Sequence, residues 1–419
     1  MGGFSPRPSE VLPPLILGTA TFNSQYNPDP YALPTTAIVH RALEAGVRAF
    51  DTSPYYGPAE SLLGHALSTP FVRDNYPRHS YRLLTKIGRV ASASFDYSPS
   101  WIRKSIKRSL SRLHTTYLDV VYCHDVEFVT PDEVLSAVQT LRTIRDTENT
   151  IRYIGISGYP IPVLCSLAEM ILDKTGEPLD IVMSYANFTL QNTLLATQGL
   201  PRFCAAGVDM VLNASPLGMG LLRQRGVPIG NMGDFHPAPD LLRDAIHQAS
   251  NWAAEQGEKI EVVAIRYALE NWLLQGSPAG SFSLPLPATP SEPNPNLDLE
   301  LVSSPRRRRL GASVMGVSNL DELDETLRVW RSLLVPILAD ASSESPKRPA
   351  STVDSCAVSK APHGPNLLLP TGIRKILGTK WVDFTWPSPP PDFVNLPCPN
   401  NYDAKGWNED PLHIPQENL

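Results

Sequence analysis

Four polar residues in the first third of the sequence are of the types that proton transfer during redox chemistry requires. Asp51 and Tyr56 stand in the segment FDTSPYYG, Lys86 ends the run LLTK, and His124 ends the run DVVYCH. Oxidation of an alcohol, or reduction of a carbonyl, needs a proton acceptor or donor beside the path of the hydride. A phenol has an ordinary pKa of about 10, so unaided it exchanges its proton poorly near neutrality.

The four residue types suggest how that limit could be overcome. We expect the Lys86 ammonium to lower the pKa of the Tyr56 phenol, and the Asp51 carboxylate to keep that ammonium charged and oriented. His124 could donate a hydrogen bond to the substrate oxygen where negative charge develops. Taken singly, each residue also has an ordinary structural interpretation, such as a helix cap, a packed rim tyrosine or a core histidine. The hypothesis depends on all four lying at strand ends that meet.

Short apolar runs alternate with longer segments of helical period, and this alternation predicts the elements that position the four residues. Strands are predicted at 15–18, 47–52, 82–86, 118–124, 153–157, 180–183, 208–213 and 312–315. Helices are predicted near 35–45, 59–67, 99–113, 131–146, 162–173, 192–206, 239–256, 260–274 and 320–334. Strands this apolar indicate a parallel sheet covered by helices.

Eight such units close naturally into a (β/α)8 TIM barrel, in which the carboxyl ends of the strands converge on one mouth. An open doubly wound sheet is the competing fold. That fold usually carries a GxGxxG loop after an early strand, whereas the first strand here continues as GTAT. The α/β barrel is therefore favoured.

Changes in composition divide the chain into segments. Proline accounts for 42 of 419 residues, about twice its ordinary share, and much of the excess lies in segments that cannot bury a core. We predict an N-terminal extension at 1–14, the barrel at 15–340, a disordered low-complexity insertion within it at 277–309, a disordered linker at 341–366, and a C-terminal tail at 367–419. The tail is expected to be extended and packed on the barrel. The RRRR run at 306–309 is interpreted as solvated loop, with a basic docking or targeting patch as the alternative.

Charge and cysteine content restrict the partners. A formal net charge of −6 gives no reason to expect nucleic acid or an anionic membrane as a partner. The five cysteines are odd in number and form no CxxC pair, which argues against a disulfide framework and against a metal site. Neither a secretory signal nor an apolar run of about 20 residues is present. We expect a cytoplasmic enzyme with a small-molecule substrate, and the oligomeric state is not predicted.

The combined motifs resemble those of the aldo-keto reductases. The segment FDTSPYYG, with Glu60 and the dipeptide Leu63–Gly64 after it, is similar to the family's signature around its aspartate and tyrosine. Lys86 and His124 fall where that family has its catalytic lysine and histidine. The resemblance covers about residues 15–334 apart from the insertion. It implies a catalytic set of Asp51, Tyr56, Lys86 and His124, and a nicotinamide cofactor bound extended at the barrel mouth.

The resemblance also implies where the cofactor binds. GISG at 155–158 is similar to the family's Gly-Val-Ser-Asn, which holds the carboxamide, although Gly158 replaces the asparagine. SPLGMGL at 215–221 is similar to a loop around the pyrophosphate, and the segment 315–326 is similar to one that holds the adenosine. The implied cofactor contacts are Ser157, Ser184, Ser215, Leu217, Gly218, Gly220, Gly316, Ser318, Glu322 and Glu325.

The adenosine segment predicts the choice of cofactor. Members that use NADP tend to place Lys or Arg there, whereas this chain has Ser318 and Glu322, with Asp321 and Asp324 nearby. A 2′-phosphate would meet acidic groups, whereas a ribose diol could donate hydrogen bonds to them. NAD is therefore the preferred cofactor, with NADP possible if a folded-back loop brings in the arginines at 306–309.

Within the family the chain most resembles sugar dehydrogenases of the fungal D-arabinose 1-dehydrogenase and plant L-galactose dehydrogenase type. The similarity lies in LGTATF at 17–22, CHDVEF at 123–128 and SPLGMG at 215–220. It implies oxidation of an aldose, D-arabinose or a similar sugar, at C1 to its lactone, with the hydride passing to the nicotinamide and the proton to Tyr56. A general NADPH-dependent aldehyde reductase and a non-catalytic cofactor-binding regulatory subunit are the alternatives, and the intact catalytic set argues against the second.

Overall fold

Eight parallel strands close into one barrel in the computed structural model, which describes residues 6–228, 230, 232–283, 309–343 and 368–397. The barrel strands are β1 (Leu15–Gly18), β2 (Ala49–Asp51), β3 (Arg82–Ile87), β6 (Leu118–His124), β7 (Ile151–Gly158), β8 (Ile181–Tyr185), β9 (Met210–Ala214) and β10 (Ala312–Gly316). Each pairs with the next, and β10 pairs with β1. The strands β4 (Arg89–Ala91) and β5 (Ser94–Phe95) form an antiparallel hairpin above β3. The predicted fold class is confirmed.

Helices cover the outside of the barrel and join its strands. They are α1 (Pro8–Val11), α2 (Thr35–Glu44), α3 (Ala59–Leu67), α4 (Pro70–Asn75), α5 (Pro99–Arg112), α6 (Pro131–Glu148), α7 (Ile161–Thr175), α8 (Leu200–Ala205), α9 (Asp240–Glu255), α10 (Ile260–Gln275), α11 (Leu320–Ser343) and α12 (Leu368–Trp381). The starts follow local chemistry: Thr130 and Glu133 form a reciprocal capping box on α6, and Ser98 caps α5 before Pro99. None of the helices in the described residues combines the length and apolar character that crossing a bilayer requires.

Alternating strand positions build two apolar layers. One set of side chains fills the barrel interior, including Ile16, Leu84 and Met210, and the other packs beneath the helices. The N-terminal segment closes the lower end, because Leu12 is fully buried in the interior cluster and its carbonyl accepts a hydrogen bond from Ser281. With the lower end filled, access to the interior is from the carboxyl ends of the strands.

The structure corrects two expectations about the irregular segments. The tail was expected to be extended, but residues 368–381 form α12, whose Ile373 and Leu377 are buried in one cluster with residues of α9. The insertion predicted from residue 277 begins later, since Ser277–Ala279 is a 3-10 turn and Ser281 pairs with Leu310. Residues 284–308, 344–367 and 398–419 lie outside the described residues.

Candidate active site

Two neighbouring strand ends bring a buried ion pair to the barrel mouth. Lys86, near the end of β3, is 1% exposed. Its Nζ donates hydrogen bonds to Asp51 Oδ1 at 2.7 Å and to the Thr52 carbonyl at 2.9 Å. A buried ammonium is stable only when it is paired and hydrogen-bonded, and both partners come from the end of β2. The pair therefore fixes the position of each side chain.

Tyr56 lies in the turn that follows β2. The turn is closed by a hydrogen bond from the Tyr56 N–H to the Ser53 carbonyl, and Gly57 follows with a φ of +56°. The Tyr56 ring centroid lies 4.8 Å from Lys86 Nζ and 5.7 Å from the centroid of the His124 ring, which is almost perpendicular to it. The structure thus brings the four residues predicted from the sequence into one group.

His124 is held as a neutral imidazole. Burial lowers the pKa of His124 to about 3. Its Nδ1 lies 3.1 Å from Ser53 Oγ, and that oxygen already accepts a hydrogen bond from the Tyr55 N–H at 3.1 Å. Ser53 Oγ can donate its proton to Nδ1, and we assign the imidazole proton to Nε2, which lies 3.6 Å from the Asp125 carboxylate. A neutral ring with Nε2–H is a hydrogen-bond donor over the whole physiological pH range.

The expectation that Tyr56 has a lowered pKa is wrong for this arrangement. Burial, followed by the carboxylates of Asp51 and Asp125, raises the pKa of Tyr56 well above its ordinary value, and Arg89 offsets only part of that rise. The Lys86 charge is already balanced by Asp51 at 2.7 Å. Tyr56 is accordingly a phenol, that is a proton donor, at neutral pH.

These groups line a cavity of about 550 Å³ that runs from the strand ends across the mouth. Tyr56, His124 and Asp51 contribute to its floor. The segment after α12 forms part of its wall: Trp386 stacks on Tyr159 with ring centroids 4.7 Å apart, and Phe393 packs on Phe128 at 4.8 Å. The tail therefore borders the same space as the polar group.

The loop after β9 has the backbone form of an anion site. Ser215, Gly218, Met219 and Gly220 all have positive φ values, between 55° and 94°, and Ser215, Met219 and Gly220 line the cavity. Backbone turned in this way directs amide groups into a concavity that suits phosphate oxygens. The residues of this loop therefore fit the phosphate part of a nicotinamide dinucleotide.

The predicted cofactor contacts divide into two groups in the structure. Ser157, Ser215, Leu217, Gly220 and Gly316 line the cavity. The others do not line it: Ser184, Gly218, Ser318, Glu322 and Glu325.

Each residue of the second group has other contacts. The Gly218 carbonyl lies 2.8 Å from the ring nitrogen of His236. The Ser318 N–H donates to Glu322 Oε2 at 2.8 Å, so Glu322 caps the start of α11. Glu325 pairs with Arg328. These contacts place the three residues of the β10–α11 segment beside the cavity and not in its wall.

Ser184 is placed away from the cavity by the period of its strand. Its Oγ accepts a hydrogen bond from Asn187 at 3.0 Å, and its neighbours Met183 and Tyr185 line the cavity in its place. Successive side chains of a strand point to opposite faces. Ser184 therefore does not line the cavity, and the alternation of β8 was the signal that pointed to Tyr185.

Sequence reasoning also missed three charged residues of the wall. Arg89 on the β4–β5 hairpin, Asp125 after His124, and Arg223 after the β9 loop all line the cavity. Arg223 reaches Glu322 at 3.1 Å across 99 residues of sequence, so a cation does stand near the adenosine segment. Arg309, the only residue of the RRRR run among those described, instead pairs with Asp209 at 2.7 Å, below the barrel.

A parallel barrel with an aspartate–tyrosine–lysine–histidine group at its open end defines an oxidoreductase class that works with a nicotinamide. The model of the Aldo/keto reductase family matches residues 14–336, and the chain belongs to that family. D-arabinose 1-dehydrogenase of Saccharomyces cerevisiae is 42% identical over 265 residues, which is 63% of this chain and 77% of the yeast protein. L-galactose dehydrogenase of Arabidopsis thaliana is 36% identical over 56% of this chain and 70% of its own length. D-threo-aldose 1-dehydrogenase of Pseudomonas sp is 27% identical over 58% of this chain and 78% of its own length. The chain is an enzyme of the oxidoreductase class.

Proposed function

We propose that this enzyme oxidises an aldose, D-arabinose or a similar sugar, at C1 to the lactone. The observation that carries the proposal is the group at the mouth, in which Tyr56 and His124 face one cavity and the buried Lys86–Asp51 pair lies beneath them. The relatives named as aldose 1-dehydrogenases support the choice of a sugar. When bound, the nicotinamide accepts the hydride from C1.

Each residue has a distinct part in the proposal. His124 donates its Nε2–H to the oxygen on C1 and so orients the bond that breaks. Tyr56 exchanges the proton of that same oxygen. Lys86 and Asp51 hold the phenol in place through the contact of the ammonium with the ring at 4.8 Å. We place the reaction in the cytoplasm, because Cys123, Cys165 and Cys204 are free thiols, as a reducing compartment keeps them.

The raised pKa of Tyr56 predicts opposite pH dependence for the two directions of the reaction. Oxidation needs the phenolate as proton acceptor, and below the pKa its fraction rises about tenfold per pH unit. We therefore expect kcat/KM for aldose oxidation to climb through pH 7–10 without a plateau. Reduction of an aldehyde needs the phenol, so its kcat/KM should stay level across the same range. Initial rates in both directions test this, and a plateau in oxidation near neutrality would show that the phenol is acidified after all.

We further propose a preference for NAD over NADP. Arg223, the cation that the fold brings to this end of the cavity, is neutralised by Glu322, and Glu322 is also fixed by the Ser318 N–H. A 2′-phosphate would have to break that pair, whereas a ribose diol can hydrogen-bond to it.

Glu322→Gln is expected to release Arg223 and to shift the ratio of Kd values toward NADPH by about 3- to 10-fold, because the pair is partly exposed and screened. Fluorescence titration with NADH and NADPH measures the ratio. Glu325→Gln is the matched control, since Glu325 pairs with Arg328 outside the cavity wall. Tighter binding of NADPH than of NADH by the unaltered protein would overturn the preference.

The proposal is tested by following NAD reduction over a panel of aldoses, with product analysis for the lactone. Turnover of D-arabinose or a close relative is expected. A protonated Tyr56 also favours a second function, reduction of aldehydes at neutral pH. Broad aldehyde turnover without any aldose oxidation would support that second function and reject the first.

A further inference from the structure

Asp125 follows His124 directly, yet both side chains line the cavity. On a regular strand successive side chains point to opposite faces. Asp125 has φ 54° and ψ 59°, the left-handed conformation, which aspartate tolerates better than most residues. This backbone turn ends β6 and brings a carboxylate to the wall beside the imidazole.

One of the two oxygens of the Asp125 carboxylate has a hydrogen-bond partner among the described residues, and the other has none. Its Oδ2 accepts a hydrogen bond from Arg89 Nη1 and lies 3.6 Å from His124 Nε2. Its Oδ1 has no hydrogen-bond partner within the described part of the chain, although the residue is only 1% exposed. Burial by itself would raise the pKa of Asp125, but the Arg89 guanidinium, which donates a hydrogen bond to it, helps to hold the pKa below its ordinary value. The wall therefore carries an anionic oxygen that lacks a donor.

Arg89 presents the complementary group. Its guanidinium is stacked over the Tyr55 ring at 3.9 Å, and its Nε likewise has no acceptor among the residues that the structure describes. A buried acceptor and a buried donor left open in one wall are costly unless a ligand completes them.

We infer that Asp125 and Arg89 bind a hydroxyl group on the substrate carbon next to the reacting carbon. A hydroxyl both donates and accepts, so one hydroxyl can bind the Asp125 carboxylate and the Arg89 guanidinium, whose residues both line the cavity. The 3.6 Å separation of Asp125 Oδ2 from His124 Nε2 puts this pair beside the place where the reacting oxygen is held. The assignment rests on the proposed function and makes Asp125 a specificity-determining residue for 2-hydroxy substrates.

The experiment compares D-arabinose with 2-deoxy-D-ribose, which is the same sugar without its C2 hydroxyl. We expect the unaltered enzyme to favour D-arabinose in kcat/KM by about 10- to 100-fold, as for a hydrogen bond to a charged group. Asp125→Ala should bring this ratio close to one. Asp125→Asn, which keeps the side-chain shape and tolerates the left-handed backbone, should lower it by a smaller factor. Asp146→Asn is the control, because Asp146 also pairs with an arginine, Arg145, but does not line the cavity.

A second substrate pair separates failure of this inference from failure of the proposed function. NADH-dependent reduction of D-glyceraldehyde and of 3-hydroxypropanal compares two aldehydes that differ only by this neighbouring hydroxyl, and it involves no aldose oxidation. If no aldose is oxidised but Asp125→Ala abolishes the preference for glyceraldehyde, the proposed function fails and the hydroxyl site stands. If both Asp125 variants fold, bind NADH and keep the ratios of the unaltered enzyme, or if that enzyme shows no preference in either pair, the hydroxyl site is rejected. Absence of turnover with both pairs rejects both.

Discussion

Replacing Tyr56 by phenylalanine is expected to lower kcat for aldose oxidation by about 10³-fold, because general acid–base catalysis by a positioned side chain contributes about 10²- to 10⁴-fold. The phenol is the group that exchanges the proton of the C1 oxygen. His124 cannot replace it, because a pKa of about 3 keeps the imidazole neutral at ordinary pH. The ring remains, so the contact with Lys86 and the shape of the cavity are kept. Steady-state oxidation kinetics, with NADH binding measured by fluorescence, test the prediction.

The chain provides a matched control in the adjacent tyrosine. Tyr55 lines the same cavity, its ring lies 6.5 Å from that of Tyr56, and it is stacked under Arg89. Tyr55→Phe removes an equivalent phenol hydroxyl from the same cavity and should lower kcat by less than tenfold. Equal losses for the two variants would mean that the hydroxyl of Tyr56 has no special part in proton transfer.

The second large effect is on stability. Lys86→Met leaves the Asp51 carboxylate buried without its cation, and breaking a buried pair in this way costs about 3–5 kcal/mol in the free energy of unfolding. Burial already raises the pKa of Asp51, and Lys86 opposes that rise. Without Lys86 the carboxyl will take up a proton at a higher pH. The variant should therefore be least stable at alkaline pH and recover part of the loss as the pH falls.

A double variant makes this prediction specific. Lys86→Met with Asp51→Asn removes both charges, so it should be more stable than Lys86→Met alone, even though it carries one more substitution. Urea unfolding of the two single variants and the double variant measures the coupling. Additive losses would show that the 2.7 Å contact between Lys86 Nζ and Asp51 Oδ1 contributes little, and that the pair does not hold the phenol.

The barrel could be predicted from the sequence because its signals are local. Apolar strands such as 118–124 and 151–158 are buried along nearly their whole length, and each is followed by a helix with a capping residue or an N-terminal proline. The same regularity placed Asp51, Lys86 and His124 at strand ends that a closed barrel must bring together.

Other features depend on contacts that local patterns do not contain. Helix α12 lies among prolines, and its buried residues in the cluster shared with α9 are Ile373 and Leu377, one turn apart. Arg223 meets Glu322 across 99 residues. The pKa of Tyr56 shifts in the direction opposite to the prediction, because burial and the charges of Asp51 and Asp125 raise it. Residue types identify which groups interact, but the balance of their energies depends on the assembled cavity.

Oxidation of D-arabinose carrying deuterium at C1 tests the central claim most directly. The proposed chemistry predicts that the deuterium appears on the nicotinamide ring of the reduced cofactor, that the sugar product is the lactone, and that Tyr56→Phe forms both far more slowly. Reduced cofactor free of deuterium, or no cofactor reduction by the unaltered enzyme with any aldose, would contradict hydride transfer from C1 at this site.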